Sequence, residues 1–113
     1  MGLSVSLEGW EYQVEYFKNM PQFSICVFDN RGAGFSGNPS SITSTLEMAK
    51  DALCLLNHLE WFSDVNLVGI SLGGMISLEL ALLKPTLFST LTLISTTAGR
   101  SLPPINGLFG IYF

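Results

Sequence analysis

The 113 residues suffice for one small domain, and they are unusually apolar: 48% are hydrophobic and 12% are charged, against about 25% charged residues in an ordinary globular domain. The net charge of −4 and the lack of a basic cluster give no electrostatic basis for binding nucleic acid, so no such partner is expected. The uncharged runs at residues 65–78, 85–99 and 101–113 are all shorter than the roughly 18 residues of a spanning helix. We therefore expect no transmembrane segment. The composition instead favours an internal fragment from the core of a larger globular protein.

The two cysteines and the first residues indicate little about compartment. Cys26 and Cys54 lie in apolar runs without a C-x-x-C spacing, which predicts buried free thiols and slightly favours the cytoplasm, as does the lack of a signal-peptide pattern. No ligand spacing suggests a metal or a cofactor, so neither is expected. The start, MGLSVS, matches the N-myristoylation pattern through Gly2 and Ser6, although that pattern is short and loose.

In chain order, the first predicted elements are a helix and a buried strand. Trp10, Val14 and Phe17 recur at helical spacing, which predicts a helix over residues 10–20 that ends at Pro21. Residues 23–28, FSICVF, are apolar and rich in β-forming types, so they predict a short buried strand. The next stretch, DNRGAGFSGNPS, holds three glycines and a proline and predicts a loop.

The second half alternates helices and strands. Ser44 and Glu47 have the spacing of a capping box, which predicts a helix with one apolar face through about residue 60. Residues 65–70 predict a strand, residues 73–83 a helix that is apolar nearly all round and deeply buried, and residues 91–95 a third strand. The tail, 101–113, is predicted to be irregular. Such alternation indicates an α/β fold with a mostly parallel sheet and flanking helices.

Residues 69–73, GISLG, fit the pattern G-x-S-x-G between a predicted strand and a predicted helix. A serine at the tip of such a turn takes strained backbone angles, and Gly69 and Gly73 remove side chains that would collide there. Its oxygen would lie at the carboxyl end of the sheet, where the N–H of Leu72 can stabilise an oxyanion. A dinucleotide fingerprint would need glycine at position 71 and a P-loop would need Gly-Lys-Ser/Thr. The alternative is a packing turn that holds a serine by chance.

The sequence resembles the α/β-hydrolase superfamily at several blocks with the family's spacing. The stretch VFDNRGAGFSG is similar to its D-x-R-G-x-G-x-S loop, matched at Asp29, Arg31, Gly32, Gly34 and Ser36. LVGISLGG resembles its nucleophile elbow, and KPTLFSTLTLISTTAG its sixth strand and the preceding helix end. The resemblance covers roughly residues 1–100, which would form one partial hydrolase core from the oxyanion loop to the sixth strand.

The resemblance implies roles for particular residues. Ser71 would be the nucleophile and the Leu72 N–H one oxyanion donor. MGL stands where the family has H-G-x, so Leu3 would supply the second N–H, which accounts for the first residues better than lipidation does. Asp29 and Arg31 are expected to form a structural polar turn that supports the site, with Gly32 and Gly34 at positive backbone angles.

The family's triad cannot be completed from these residues, because it follows the order Ser, then Asp or Glu, then His. After Ser71 the sequence holds one acid, Glu79, and no histidine. The only histidine, His58, precedes the serine, and its helix flank predicts a solvated surface residue. The family's third strand would also be missing, which leaves apolar sheet edges open to self-association.

Two functional hypotheses remain. The first is an internal fragment of a serine hydrolase, truncated at both ends, whose parent acts on a small ester or a similar carbonyl substrate; the fragment alone would be inactive. Family members with an Asp nucleophile cleave epoxides, and Ser71 argues against that branch. The alternative is a non-catalytic binding or interaction module derived from a truncated hydrolase.

Overall fold

A computed structural model describes residues 1–3, 5–37 and 43–98. The elements are a 3-10 helix Leu7–Trp10, α1 (Glu11–Phe17), α2 (Thr45–His58), β1 (Val65–Ile70), α3 (Leu72–Leu83) and β2 (Phe88–Ile94). The strands β1 and β2 pair in parallel, joined by α3 as the crossover helix. The predicted α/β class with a parallel sheet is confirmed, and the predicted tail 101–113 lies outside the described residues.

Helix α2 begins as its sequence predicts. The Ser44 hydroxyl accepts a hydrogen bond from the Glu47 N–H at 3.2 Å, and the Ser44 N–H donates to Glu47 Oε2 at 2.9 Å. These bonds form the capping box, and the backbone hydrogen bond from Ser44 is the main reason that the pKa of Glu47 is lowered. The buried residues of the helix, Ala49, Ala52 and Leu56, share one face.

The core lies between α2, α3 and one face of the two-stranded sheet. Partners across the sheet run from Val65 opposite Phe88 to Ile70 opposite Ile94, with a register shift just after Val65. The buried apolar side chains come from α2, β1, α3 and the approach to β2: Ala49, Ala52, Leu56, Val65, Ile76, Leu80 and Leu87. This arrangement holds the carboxyl end of β1 and the first turn of α3 in one place.

The predicted strand over residues 23–28 is wrong. The segment has no ladder partner in the described structure, and Phe23, Ile25 and Phe28 are 45%, 40% and 36% exposed. A strand exists only where a neighbouring backbone accepts and donates its hydrogen bonds. The described sheet consists of β1 and β2 alone, so no described strand pairs with this apolar segment.

Two burial predictions are also wrong. Helix α3 is buried along one side only, and Leu82 near its end is 79% exposed, because the sheet and α2 cover no more than that side. Cys54 is exposed on α2, and Cys26, in the unpaired segment, is partly buried, which raises the pKa of its thiol. His58 is exposed, as predicted.

The first helix is shorter than predicted and makes few tertiary contacts. The helical residues start as a 3-10 turn and continue as α1 only to Phe17, with no residue of either helix buried. Tyr12 is 84% exposed. None of the helices in the described part of the chain has the length and apolar character needed to cross a membrane.

Candidate active site

Ser71 lies at the turn between β1 and α3 in a backbone conformation that is rare for a residue with a side chain. Its φ is 52° and its ψ is −118°, which costs of order 1–3 kcal/mol and persists only where surrounding contacts impose it. The Ser71 N–H donates to the Ile94 carbonyl at 2.9 Å, so the turn is tied to the end of β2. The hydroxyl makes no helix-capping hydrogen bond and the residue is exposed.

The two glycines that flank Ser71 occupy positions with no room for a side chain. A Cβ on Gly69 would lie 2.5 Å from the Gly73 carbonyl oxygen and 2.7 Å from Gly74 Cα. A Cβ on Gly73 would lie 2.7 Å from the Met1 carbonyl oxygen. Both obstacles are backbone atoms, so the tight approach of strand, helix and N-terminal segment around Ser71 requires glycine at both positions.

The first residues of the chain pack against this turn. The backbone of Met1 contacts Gly73, and a Cβ on Gly2 would lie 3.6 Å from Ser71 Cβ and 4.0 Å from Ser71 Oγ. Leu3 follows directly and is 60% exposed. The MGL segment and the turn at Ser71 are thus neighbours, although they lie at least 68 positions apart in sequence.

A second cluster surrounds the carboxylate of Asp29, a residue that is 9% exposed. It accepts hydrogen bonds from the Leu7 N–H at 2.6 Å and from the Phe35 N–H at 3.0 Å. The Ser36 hydroxyl donates to the Asp29 carbonyl at 2.7 Å. The carboxylate therefore joins the loop after residue 28 to the 3-10 helix that follows the MGL segment.

Arg31 lies in the same loop as Asp29 but pairs with a different part of the chain. Its guanidinium makes two hydrogen bonds of 2.5 Å to the Asp51 carboxylate on α2, which raise the pKa of Arg31. Gly32 and Gly34 have φ values of 79° and 49°, so the prediction of positive angles is confirmed. The loop is thus held to two different parts of the chain.

The sequence profile of the family described as "alpha/beta hydrolase fold" matches residues 2–108. The chain belongs to this family. A curated relative, 3-oxoadipate enol-lactonase 2 of Acinetobacter baylyi, is 32% identical over 96 residues, which are 85% of this chain and 35% of the relative. The putative carbamate hydrolase RutD of Rhizobium rhizogenes is 34% identical over 83% of this chain and 35% of its own length.

Solved structures agree with this assignment. A thermophilic esterase from Thermogutta terrifontis superimposes with a TM-score of 0.82 at 28% identity, over 90% of this chain and 37% of the esterase. The epoxide hydrolase CorEH superimposes with a TM-score of 0.80 at 26% identity, over 96% of this chain and 41% of that one. The chain therefore spans about 35–41% of the length of these relatives and contains part of an α/β-hydrolase fold.

The sequence did not reveal the contacts of three residues that hold the candidate site and its supporting loop in place. Thr96 donates from its hydroxyl to the Ser71 carbonyl at 2.7 Å, Gly74 makes room for that threonine, and Asp51 binds Arg31. Thr96 and Asp51 contact residues that lie 25 and 20 positions away. Short-range sequence patterns do not reveal contacts between residues so far apart. Gly74 did leave a local signal, because it follows Gly73 directly in SLGG.

A cavity of about 440 Å³ lies beside the Arg31–Asp51 pair, with Phe28 and Asn30 also in its wall. Ser71 does not line it. Among residues 1–3, 5–37 and 43–98, no three His, Cys, Asp or Glu side chains come together as metal ligands. Ser71 and this cavity are therefore separate features of the described structure.

We expect Asp29→Asn to destabilise the hydrolase core by about 1–3 kcal/mol, because the new amide NH₂ would face a backbone N–H that now has an acceptor. Urea unfolding followed by circular dichroism measures the change, with Asn30→Ala as the neighbouring control. An unchanged midpoint in Asp29→Asn would show that the bonds to Leu7 and Phe35 do not hold the loop.

Proposed function

We propose that this chain is the part of a serine hydrolase that runs from the oxyanion loop to the sixth strand, with Ser71 as the nucleophile. The observation that carries the proposal is the backbone of Ser71, held at φ 52° between a parallel strand and a helix in a member of the α/β-hydrolase family. A strained, exposed serine at the carboxyl end of a strand is the arrangement that presents a hydroxyl to substrate. A packing turn would gain nothing from that strain.

The reaction is acyl transfer. The Ser71 oxygen attacks the carbonyl carbon of an ester while a base takes its proton, and the carbonyl oxygen becomes an oxyanion. The intermediate collapses, the protonated alkoxide leaves as an alcohol, and water then hydrolyses the acyl-serine. The Leu72 N–H, at the first position of α3, has no acceptor within the helix and is one proposed oxyanion donor. The Leu3 N–H, in the segment beside Ser71, is the other.

The proposed base and its acid partner lie outside this chain. His58 is exposed at the last position of α2, and Glu79 is a partly exposed residue within α3. A serine hydroxyl without a base is a poor nucleophile at neutral pH. We therefore propose that residues 1–113 alone are inactive, and that the complete protein supplies a histidine and a carboxylate from further polypeptide.

The proposed substrate class is a small ester or a related carbonyl compound. The relatives named above include an enol-lactonase, a carbamate hydrolase and an esterase, all of which are named for attack on a carbonyl group. The likeness to an epoxide hydrolase carries less weight for this chain, because epoxide opening in this family uses a carboxylate nucleophile and a serine stands at position 71.

Covalent labelling tests this proposal. The polypeptide that carries this sequence is isolated from its source cells with an antibody to residues 43–98, its intact mass is measured, and it is treated with a fluorophosphonate. We expect a mass well above 12.3 kDa and one phosphonyl adduct, located on Ser71 by peptide mass spectrometry.

The matched control for labelling is Ser89→Ala, which removes an exposed serine of β2 and should label as the parent does. Labelling spread over many serines, or an unlabelled Ser71 in a folded protein of the larger mass, would contradict the proposal. A native mass of 12.3 kDa without labelling would favour the interaction module instead.

Exposed apolar side chains on the sheet indicate that another part of the protein covers them. Val68, Leu91, Leu93 and Ile94 are 37–45% exposed, although the strands of parallel sheets are ordinarily covered on both faces. We propose that further polypeptide of the same domain covers them in the complete protein. Residues 1–113 alone would then associate with themselves through these strands.

A further inference from the structure

The carbonyl of Ser71 is held by three donors, one of which comes from a distant part of the chain. The N–H groups of Gly74 and Met75 donate to it at 3.0 and 3.2 Å from within α3. The Thr96 hydroxyl donates at 2.7 Å from beyond the end of β2. The bond from Thr96 is the shortest of the three, and it is the one that a side chain supplies.

The backbone around Thr96 is arranged to make this bond. Ser95, immediately before it, has a φ of 47°, so a second non-glycine residue with a left-handed angle lies at the end of the strand next to Ser71. A Cβ on Gly74 would lie 2.6 Å from Cβ, Cγ2 and Oγ1 of Thr96. The absence of a side chain at position 74 therefore lets the threonine reach the Ser71 carbonyl.

The Ser71 carbonyl and the Leu72 N–H belong to one peptide group. This group is planar and trans, so the carbonyl oxygen and the amide hydrogen point in opposite directions and turn together. Any contact that holds the Ser71 oxygen in place also sets the direction of the Leu72 N–H. A preorganised donor stabilises a developing oxyanion only when its direction is fixed before the reaction.

We propose that Thr96 is a positioning residue for the oxyanion donor: its hydroxyl holds the Ser71–Leu72 peptide so that the Leu72 N–H faces the reacting carbonyl. This inference rests on the function proposed above for Ser71. It assigns to Thr96 an effect on the transition state, without any contact between Thr96 and the substrate.

Kinetics of the complete protein test the inference with a p-nitrophenyl ester. Thr96→Val keeps the shape of the side chain but removes its hydroxyl, and should lower kcat by about 10- to 100-fold with KM changed less than about twofold. Thr96→Ser keeps the hydroxyl and should restore kcat to within about threefold of the parent. Thr96→Ala serves if the valine variant does not fold, because it adds no volume beside Gly74.

Thr90→Val is the matched control. The Thr90 hydroxyl also donates over 2.7 Å, to Asn66 Oδ1, but it lies on the exposed part of the sheet away from Ser71. We expect parental kcat and KM in this variant. A purely structural role of Thr96 would instead lower the melting temperature and leave the kcat of the folded fraction unchanged, and that result would overturn the inference.

The outcomes separate this inference from the proposed function. If Ser71→Ala is inactive while the Thr96 variants keep parental kcat, the role of Thr96 is wrong and the nucleophile stands. If the folded protein turns over no ester, the proposed function fails. Amide hydrogen exchange of residues 71–75 then tests whether Thr96 holds the Ser71–Leu72 peptide in place. Exchange at least about tenfold faster in Thr96→Val than in Thr90→Val would support the positioning of this peptide; equal rates would overturn it.

Discussion

Ser71→Ala in the complete protein should lower kcat for a p-nitrophenyl ester by about 10⁴-fold or more, as loss of the nucleophile does in serine hydrolases. The residual rate would come from the oxyanion donors and from substrate binding, which alanine leaves in place. KM should change little, because the hydroxyl acts on the reacting carbon and contributes little to ground-state binding.

The same variant should be nearly as stable as the parent. The Ser71 hydroxyl makes no cap bond to α3, and the backbone bonds of residue 71 to Ile94, Gly74 and Met75 do not depend on the side chain. Alanine takes the positive φ at a cost close to that of serine. Initial rates and a thermal melt of the same preparation, beside Ser89→Ala, measure both effects. Parental turnover in Ser71→Ala would remove the nucleophile assignment altogether.

Gly69→Ala should destabilise the fold by about 3 kcal/mol, at the upper end of what overpacking a well-packed site costs. The added methyl group would lie 2.5 Å from the Gly73 carbonyl oxygen and 2.7 Å from Gly74 Cα. These atoms are backbone within the first turn of α3 and cannot rotate aside. The helix would have to move away from β1, and the Ser71 turn would move with it.

Gly37→Ala is the matched control for this prediction. Its φ is 64°, yet nothing lies within 4 Å of the position that its Cβ would take. Alanine there should cost only the strain of the left-handed angle, about 1 kcal/mol. Urea unfolding of both variants compares the stability lost to crowding at position 69 with the stability lost to a left-handed angle at position 37. Gly69 itself has no left-handed φ, so a loss of stability in Gly69→Ala no larger than that in Gly37→Ala would show that the close approach of β1 and α3 does not require glycine at position 69.

The local features of this hydrolase segment could be predicted from the sequence because each depends on residues a few positions apart. Ser44 and Glu47 form the capping box within one helical turn. Gly69 and Gly73 lie two residues either side of Ser71, and they bring strand and helix together in the structure as the pattern suggested. The roles of Ser71, Leu72 and Leu3 rest on the family resemblance and await the experiments above.

The residues that hold the candidate site in place could not be predicted in the same way. Asp29 was singled out, but its partner Leu7 lies 22 positions away. Arg31 was assigned to a turn with Asp29, but its partner Asp51 on α2 lies 20 positions away. In the sequence, Thr96 is one of two adjacent threonines that follow an apolar strand. Only the position of β2 beside β1 brings its hydroxyl to Ser71.

The sequence by itself determined the order of helices and strands in the second half of the chain, the start of α2, and the strained serine turn between two glycines. These depend on capping, periodicity and steric exclusion, which act over short distances along the chain. The tertiary structure alone decided that residues 23–28 form no strand, that α3 is covered on one side, and that Thr96 holds the Ser71 carbonyl. A ladder, a buried face and a long-range hydrogen bond each require a neighbour, and which neighbour is present is a property of the assembled fold.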